Sequence, residues 1–447
     1  MQTRRDHVQA YKFFTGRLSA ALVAGDPGTA DVPLRRSGLG TGFGVAVAVL
    51  LCVGFAVYGL ISPGGATTWQ APGSIVVEKE TGNRYLYLNG TLFPTRNTAS
   101  AMLFYGNGDG HVVDVSRNSL AGVPHGPEVG IPGAPDTIPQ GSALLPGAWS
   151  LCATPGSSPA GLTVSLGSDL PSGPSAAAGW RVLVSSGGSD YVLWQDVAYR
   201  IGSPGMLIAL GLGDAKAIPV TATWLSALRQ GVTIAAPDIP GAGSAGPSVG
   251  GEPAQVGQLF VTTVGGGTQY YLLRRDGIAP VGHTVFALLS AESDEPPVRT
   301  VSAAALTGVP VSADTSTLDS LPDFVDAPAY RPGTGSLCVS QRSSGGAVTA
   351  GSLVVQQLGG AAAAPLTVAA GRGMYAYALP VSANSAPSLF LVTDQGMKFP
   401  LSQQAATALQ LGADPVGVPG AVLDAMPDGP ALSTGNSILT ATTSGGQ

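Results

Sequence analysis

The chain has 447 residues, enough for about three domains by length alone. Only 11% of them are Asp, Glu, Lys or Arg, and the formal net charge is −6. The acidic balance of the chain argues against nucleic-acid binding, which wants a basic face; lysine is confined to Lys12, Lys79, Lys216 and Lys398.

The first element is a short basic head. From Val8, VQAYKFFTGRLSAALVAGD places Val8, Tyr11, Thr15, Leu18 and Leu22 on one helical stripe, joined by Phe14 and Ala21. Gly25 and Pro27 end it. With Lys12 and Arg17 beside the stripe, the helix suits a membrane surface or the groove of a cytoplasmic partner.

Next comes GLGTGFGVAVAVLLCVGFAVYGLI, Gly38 to Ile61, without one charge. At about 1.5 Å per residue it reaches roughly 36 Å, enough to cross a hydrocarbon core of about 30 Å. A core helix would show a polar stripe, and a signal h-region is usually ~7–15 residues near the start. This run has no such stripe and follows 37 residues, so it reads as a retained membrane anchor. Residues 1–37 carry six basic side chains (Arg4, Arg5, Lys12, Arg17, Arg35, Arg36) against Asp6, Asp26 and Asp31. The positive-inside rule then puts the N-terminus in the cytoplasm and the chain after Ile61 outside.

The head, with Ala21-Leu22-Val23, Asp26 and Pro33-Leu34-Arg35-Arg36 before an apolar span, resembles the start of the EccB family of type VII secretion systems. It has fewer arginines and more small residues than that pattern. The likeness continues past the membrane span.

After a Gly/Pro/Thr linker from Pro63, IVVEKETGNRYLYLNGTLFPT from Ile75 reads as a three-stranded meander. The same grammar recurs in RVLVSSGGSDYVLWQDVAYRI, LFVTTVGGGTQYYLLRRDGIAPV and YAYALPVSANSAPSLFLVTDQGMKFP. The second turns are expected at Asn89-Gly90, Asp196-Val197, Asp276-Gly277 and Gln395-Gly396. A second signature follows each meander: VSRNSLAGVPHG, VTATWLSALRQG, VSAAALTGVPVS and VPGAVLDAMPDG. Ser116, Thr221 and Ser302 suit helix N-caps, and Pro419 suits a helix start. Leu120, Leu225, Leu306 and Leu423 are the apolar anchors, with Val123, Leu228, Val309 and Met426 on the same face.

Tyr85 and Tyr270 are 185 residues apart, Val115 and Val301 186, and Cys152 and Cys338 186, with Ser-Leu-Cys at both cysteines. The second and fourth signatures, Val220 and Val418, are 198 apart, an excess that the run from Ala361 absorbs. The exported part therefore reads as two tandem halves. Cys52 lies in the span, which leaves Cys152 and Cys338 as an internal disulfide in an oxidising compartment; free thiols or pairing to another chain are the alternatives. A bond between equivalent cysteines implies a pseudo-twofold axis near it. The strand-like pieces LTVSL, SLVVQQL and PLTVAA are expected to join into a small central β domain, and Ala236–Gly257 is read as a flexible or extended junction.

The expected fold is α+β: an N-terminal amphipathic helix, one transmembrane helix, then an elongated extracytoplasmic part of four small α/β repeats around a central β domain. The divisions are 1–37 head, 38–61 transmembrane helix, 62–140 repeat 1, 141–178 central segment a, 179–250 repeat 2, 251–330 repeat 3, 331–372 central segment b and 373–447 repeat 4.

Catalytic chemistry finds little footing. No GxxxxGK[ST] phosphate loop is present, and none of the lysines follows a glycine. His7, His111, His125 and His283 lack metal-ligand spacing, and the G-x-S-x-G match at Gly246–Gly250 sits among Gly and Pro rather than between strand and helix. Glu292, Asp294 and Glu295 read as a solvated loop. Trp149, Trp180, Trp194 and Trp224 suit either sugar stacking or strand cores. No catalytic residue, metal or cofactor is expected.

The EccB resemblance implies a quasi-twofold arm of four repeats similar to a phage cell-wall-binding lysin subunit. It also implies partnership with EccC, EccD and EccE and self-association in an inner-membrane complex, with a scaffolding role. Two other readings stand beside it: an anchored cell-wall binder, and the ATPase label that some family members carry.

Overall fold

A computed structural model describes residues 4–24, 34–61, 67–106, 109–153, 160–167, 179–292, 296–331, 335–356, 364–412 and 414–434. The expected helix stop at Gly25 and Pro27, the start of the linker at Pro63, the acidic residues Asp294 and Glu295, and the alanines from Ala361 to Ala363 lie outside them. The chain divides into two compact units.

The first unit holds residues 1–71, 78–82 and 114–123. Helix α1 spans Arg4–Ala24 and α2 spans Leu34–Ile61. On α1 the side chains of Val8, Tyr11, Phe14, Leu18 and Leu22 are exposed along the expected stripe. Phe13 lies off that stripe, and the Arg17 guanidinium sits 5.9 Å from its ring centroid. In the same unit the Arg117 guanidinium pairs with the nearly buried Glu78 carboxylate at 2.6 Å.

The second unit holds the rest of the chain. Strands β1 (Ser74–Glu78), β2 (Arg84–Leu88) and β3 (Thr91–Pro94) form a meander. Helix α3 (Thr98–Tyr105) and β4 (His111–Val115) follow, and the sheet order is β3-β2-β1-β4; the short α4 (Arg117–Leu120) belongs to the first unit. After β5 (Ala148–Ala153) and β6 (Leu162–Leu166), a second meander has β7 (Val182–Ser186), β8 (Ser189–Trp194) and β9 (Val197–Arg200). With α5 (Gly205–Ala209), β10 (Ile218–Pro219), α6 (Ala222–Ser226) and β11 (Arg229–Gln230), its order is β10-β7-β8-β9-β11.

A hairpin of β12 (Ala245–Val249) and β13 (Glu252–Gln255) precedes the third sheet. That sheet holds β14 (Leu259–Val264), β15 (Gly267–Arg274), β16 (Gly277–Val281) and β17 (Arg299–Thr300), with α7 (His283–Ser290) and α8 (Ala303–Thr307). Its order is β16-β15-β14-β17. Strands β18 (Ser336–Ser344), β19 (Ala347–Val348), β20 (Ser352–Gln356) and β21 (Leu366–Val368) then complete a sheet with β5 and β6. The last sheet holds β22 (Gly373–Leu379), β23 (Leu389–Thr393), β24 (Met397–Leu401) and β25 (Val416–Pro419), in the order β24-β23-β22-β25. Its helices are α9 (Gln403–Ala408) and α10 (Gly420–Asp424).

The local reasons match the residues. Thr221 and Ser302 accept hydrogen bonds from the Trp224 and Ala305 amides, so they cap α6 and α8; Ser116 stands at the same position of α4 without that bond. Leu120, Leu225 and Leu423 are buried, and Leu306 packs half-buried against Phe260 and its neighbours.

Three expectations need correction. The third meander turns at Arg275-Asp276, one residue earlier than expected, because Gly277 already pairs with Arg274 as the first residue of β16. The second meander turns at Gln195-Asp196, one residue earlier than expected, with both residues at positive φ. The Asp196 carboxylate accepts from the Leu353 amide at 2.7 Å, which holds a turn that has no glycine. The stretch 236–257 is not a plain junction either. Gly250 and Gly251, both at positive φ, turn the β12–β13 hairpin. Val249 and Ala254 from it bury against Phe260 and Leu273.

Candidate functional site: an apolar helix and a disulfide-stapled sheet

No side chain of the Gly38–Gly59 stretch of α2 is buried in protein, and the stretch is long and apolar enough to cross a membrane. The helix begins four residues earlier than the charge-free run, so Arg35 and Arg36 belong to its first turn.

In the second unit, β18 lies antiparallel to β5 with Cys338 directly opposite Cys152. The two are disulfide-bonded, their Cα atoms 4.0 Å apart, and both are fully buried. Alternation along the strands sorts the faces. Trp149, Leu151 and Ala153 of β5 and Leu337 and Val339 of β18 enter one large core, while the cysteines pack with Val354 on the other face. That core also takes Val182, Trp224 and Leu225 from one side of the sequence and Met374, Val418 and Leu423 from the other. The Trp149 indole N–H donates to Gln341 Oε1 at 3.1 Å, and the Trp224 indole N–H donates to the Leu337 carbonyl at 3.3 Å. Trp149 and Trp224 are thus core residues. Trp180 differs: it is 41% exposed and lines a cleft with Pro328, Tyr330 and Arg331.

Two further cores are shared between sheets. Ile75, Leu86 and Leu103 meet Leu391, Phe399 and Leu409, with α3 against α9. Val192, Leu210 and Ile234 meet Leu272, Val285 and Leu288, with α5 against α7.

The motifs considered for chemistry stay apart. Ser248 is exposed on the β12 hairpin, with a strand rather than a helix after it. His111 contacts Ser74 and His283 contacts Asp326, and no cluster of three or more His, Cys, Asp or Glu assembles among the described residues. Charges are instead spent on structure. Lys398, nearly buried, pairs with Asp428 at 2.6 Å. Arg274 pairs with Asp314. The Ser312 hydroxyl, then the Ala313 amide, hold the Asp276 carboxyl below the usual range; the Ser316 hydroxyl and amide, with Arg274, do the same for Asp314.

Sequence reading missed the segment from Leu321 to Tyr330, which follows the third sheet yet packs on the second. Its signal was there in Leu321 and Phe324 set among Asp319, Asp323 and Asp326. Asp323, 40 positions from α7, accepts from the His283 and Thr284 amides and so does the capping that Gly282 cannot.

Residues 1–443 match the family described as type VII secretion system ESX-1, transport TM domain B. A relative from Mycobacterium tuberculosis H37Rv, named ESX-3 secretion system ATPase EccB3, is 27% identical over 97% of this chain and 89% of its own. One from Mycolicibacterium smegmatis MKD8, named ESX-1 secretion system ATPase EccB1, is 28% identical over 96% and 94%. Among solved structures, a chain of an intact ESX-5 inner membrane complex aligns with TM-score 0.60 and 26% identity, over 97% of this chain and 94% of that one. A chain of an EccB3 dimer from the ESX-3 core complex aligns with TM-score 0.56 and 25% identity, over 80% and 98%. The match takes in the apolar helix, the stapled sheet and the sheets on either side of it, and the chain belongs to the EccB family of type VII secretion systems.

Proposed function

We propose that this chain is a structural, single-pass subunit of a type VII secretion complex in the inner membrane. One observation carries the reading: the likeness to a chain of an intact ESX-5 inner membrane complex extends over nearly all of both chains. The N-terminal head is cytoplasmic and the remainder lies outside, as the six basic residues before the span favour. Its partners are the other membrane subunits and further copies of itself, in line with the dimer described for a relative.

The outer part is built of four repeats about a pseudo-twofold axis near the Cys152–Cys338 bond. Support comes from the three-stranded meander common to four sheets, with a later strand, β10, β17 or β25, lying parallel to the first of the meander in the second, third and fourth. The cores add to it: exchange of the two halves maps the α3–α9 contact onto α7–α5. The role is assembly rather than nucleotide hydrolysis. Relatives carry ATPase in their names, but no phosphate loop stands in this sequence.

Mild-detergent extraction of the tagged chain, with a native gel and mass spectrometry, tests the proposal. Recovery in a very large assembly with other type VII membrane subunits is expected; recovery alone overturns it. Exposed Trp180 beside Tyr330 favours the second reading, an anchored cell-wall binder, which sedimentation with purified peptidoglycan tests.

A further inference from the structure

The segment Leu321–Tyr330 ties two sheets together. Phe324 is buried with its ring 6.2 Å from Trp194 and 6.3 Å from Tyr199, on the second meander. Further along, the Arg181 amide donates to the Pro328 carbonyl at 2.9 Å, and the Tyr330 amide donates to the Arg181 carbonyl at 2.7 Å. The buried Arg181 guanidinium donates to the Ala327 and Leu210 carbonyls.

The other side of the segment is fastened to the N-terminus of α7 in the third sheet's half of the core. Asp323 accepts the His283 and Thr284 amides there. The Thr284 hydroxyl donates to Asp323 and accepts from the Phe324 and Val325 amides. Finally, His283 Nδ1 lies 2.8 Å from the Asp326 carboxylate.

We propose that Leu321–Tyr330 is a strap whose hold depends on pH, tightened when His283 is protonated and loosened when it is neutral. With an imidazolium the His283–Asp326 contact joins two opposite charges; with a neutral ring it is one hydrogen bond to an anion. Both bonds have an ionised acceptor, so what the imidazolium adds is the attraction of an ion pair, modest where the carboxylate is exposed.

Four charged or ionisable groups lie around His283. Asp323 and Asp326 face it from the strap. Tyr270 stacks on the ring from β15, centroids 4.3 Å apart, and burial, with help from Asp326 and Asp323, pushes its phenol up. Arg181, just before β7, has its pKa lowered by burial and raised by Asp326, and arginine stays charged at these pH values. Helix α5, packed on α7, carries no ionisable residue. Histidine is the side chain that ordinarily changes charge between about pH 5 and 8.

Hydrogen exchange of the full chain in detergent at about pH 5.5 and about pH 8, corrected for intrinsic rates, reads the strap directly. Amides of 321–330 should be roughly two- to five-fold better protected at the lower pH, the size expected for a pair whose carboxylate is exposed. About 0.5 M salt should shrink the difference through screening. It should vanish in His283→Gln and in Asp326→Asn, while amides of the β22–β24 sheet keep their wild-type behaviour. Equal protection at both pH values, or a difference that survives in the variants, overturns the proposal. If His283→Gln fails to fold, Asp326→Asn decides, because that side chain is 78% exposed.

Discussion

Removing the staple is the sharpest test of the central sheet. Cys152 and Cys338 are separated by 186 residues, so the bond closes a very long loop in the unfolded chain. In the chain-entropy model that loop is worth at most about 5 kcal/mol. Both sulfurs are fully buried against Val354, and their loss in the double variant Cys152→Ala/Cys338→Ala adds a cavity cost of about 1 kcal/mol. With a urea slope of about 2–3 kcal/mol per molar, the midpoint should fall by roughly 2 M. Tryptophan fluorescence is the natural probe, since Trp149 and Trp224 sit in the core beneath the stapled strands. A midpoint shift under about 0.5 M at unchanged slope refutes the argument, because the bond would then constrain little of the unfolded chain. Reduction of the wild-type chain after denaturation should reproduce most of the variant's shift on refolding, short of the cavity cost, because both sulfurs remain.

Leu50→Arg, near the centre of α2, should cost roughly 2.5–3.5 kcal/mol of insertion and move the chain from the carbonate-resistant membrane fraction to the soluble one. Gly277→Ala should destabilise by several kcal/mol, about as a severe core mutation does. Its Cβ would run into the Pro310 carbonyl, at a φ of 149° that an L side chain rarely adopts, and thermal unfolding reads the loss. Acid should weaken the Asp276–Asp314 region. Their folded values lie below the unfolded one, so their stabilisation is present above about pH 4 and fades as pH falls through the folded values. Asp276→Asn/Asp314→Asn should therefore show a flatter loss of protection for residues 310–317 below about pH 4, as read by hydrogen exchange.

Much of this was legible because local and global patterns agree. The charge-free run gave α2, and its want of a polar stripe matches the absence of buried side chains. The Ser-Leu-Cys text repeated 186 residues apart pointed to a bond between Cys152 and Cys338, and the register of β5 and β18, strands not read from the sequence, sets them opposite each other. What stayed hidden was long-range. Nothing near Gly282 announces that a carboxylate 40 residues downstream will cap α7. The hairpin at 245–255 was masked by its glycines and prolines, which read as linker although Val249 and Ala254 alternate onto a core. Trp180 and Trp224 look alike in sequence, yet one is exposed and the other carries a buried hydrogen bond.

Departures from the repeated text mark joints, and Asp196 shows how. Its counterparts Gly90 and Gly396 take positive φ without a side chain to strain. Asp196 takes φ 62° as a non-glycine and in return binds the Leu353 amide, on the buried β20 strand of the central sheet. Asp196→Gly should relieve about 1 kcal/mol of left-handed strain but lose a hydrogen bond to a charged acceptor worth roughly 1.5–3 kcal/mol. The net is a loss of about 1 kcal/mol. Asp196→Asn keeps both the tolerance for positive φ and an acceptor oxygen, so it should fall between the two. Urea midpoints of the three proteins order these terms. A glycine variant more stable than wild type would mean that the turn, and not the tie to the central sheet, decides this residue.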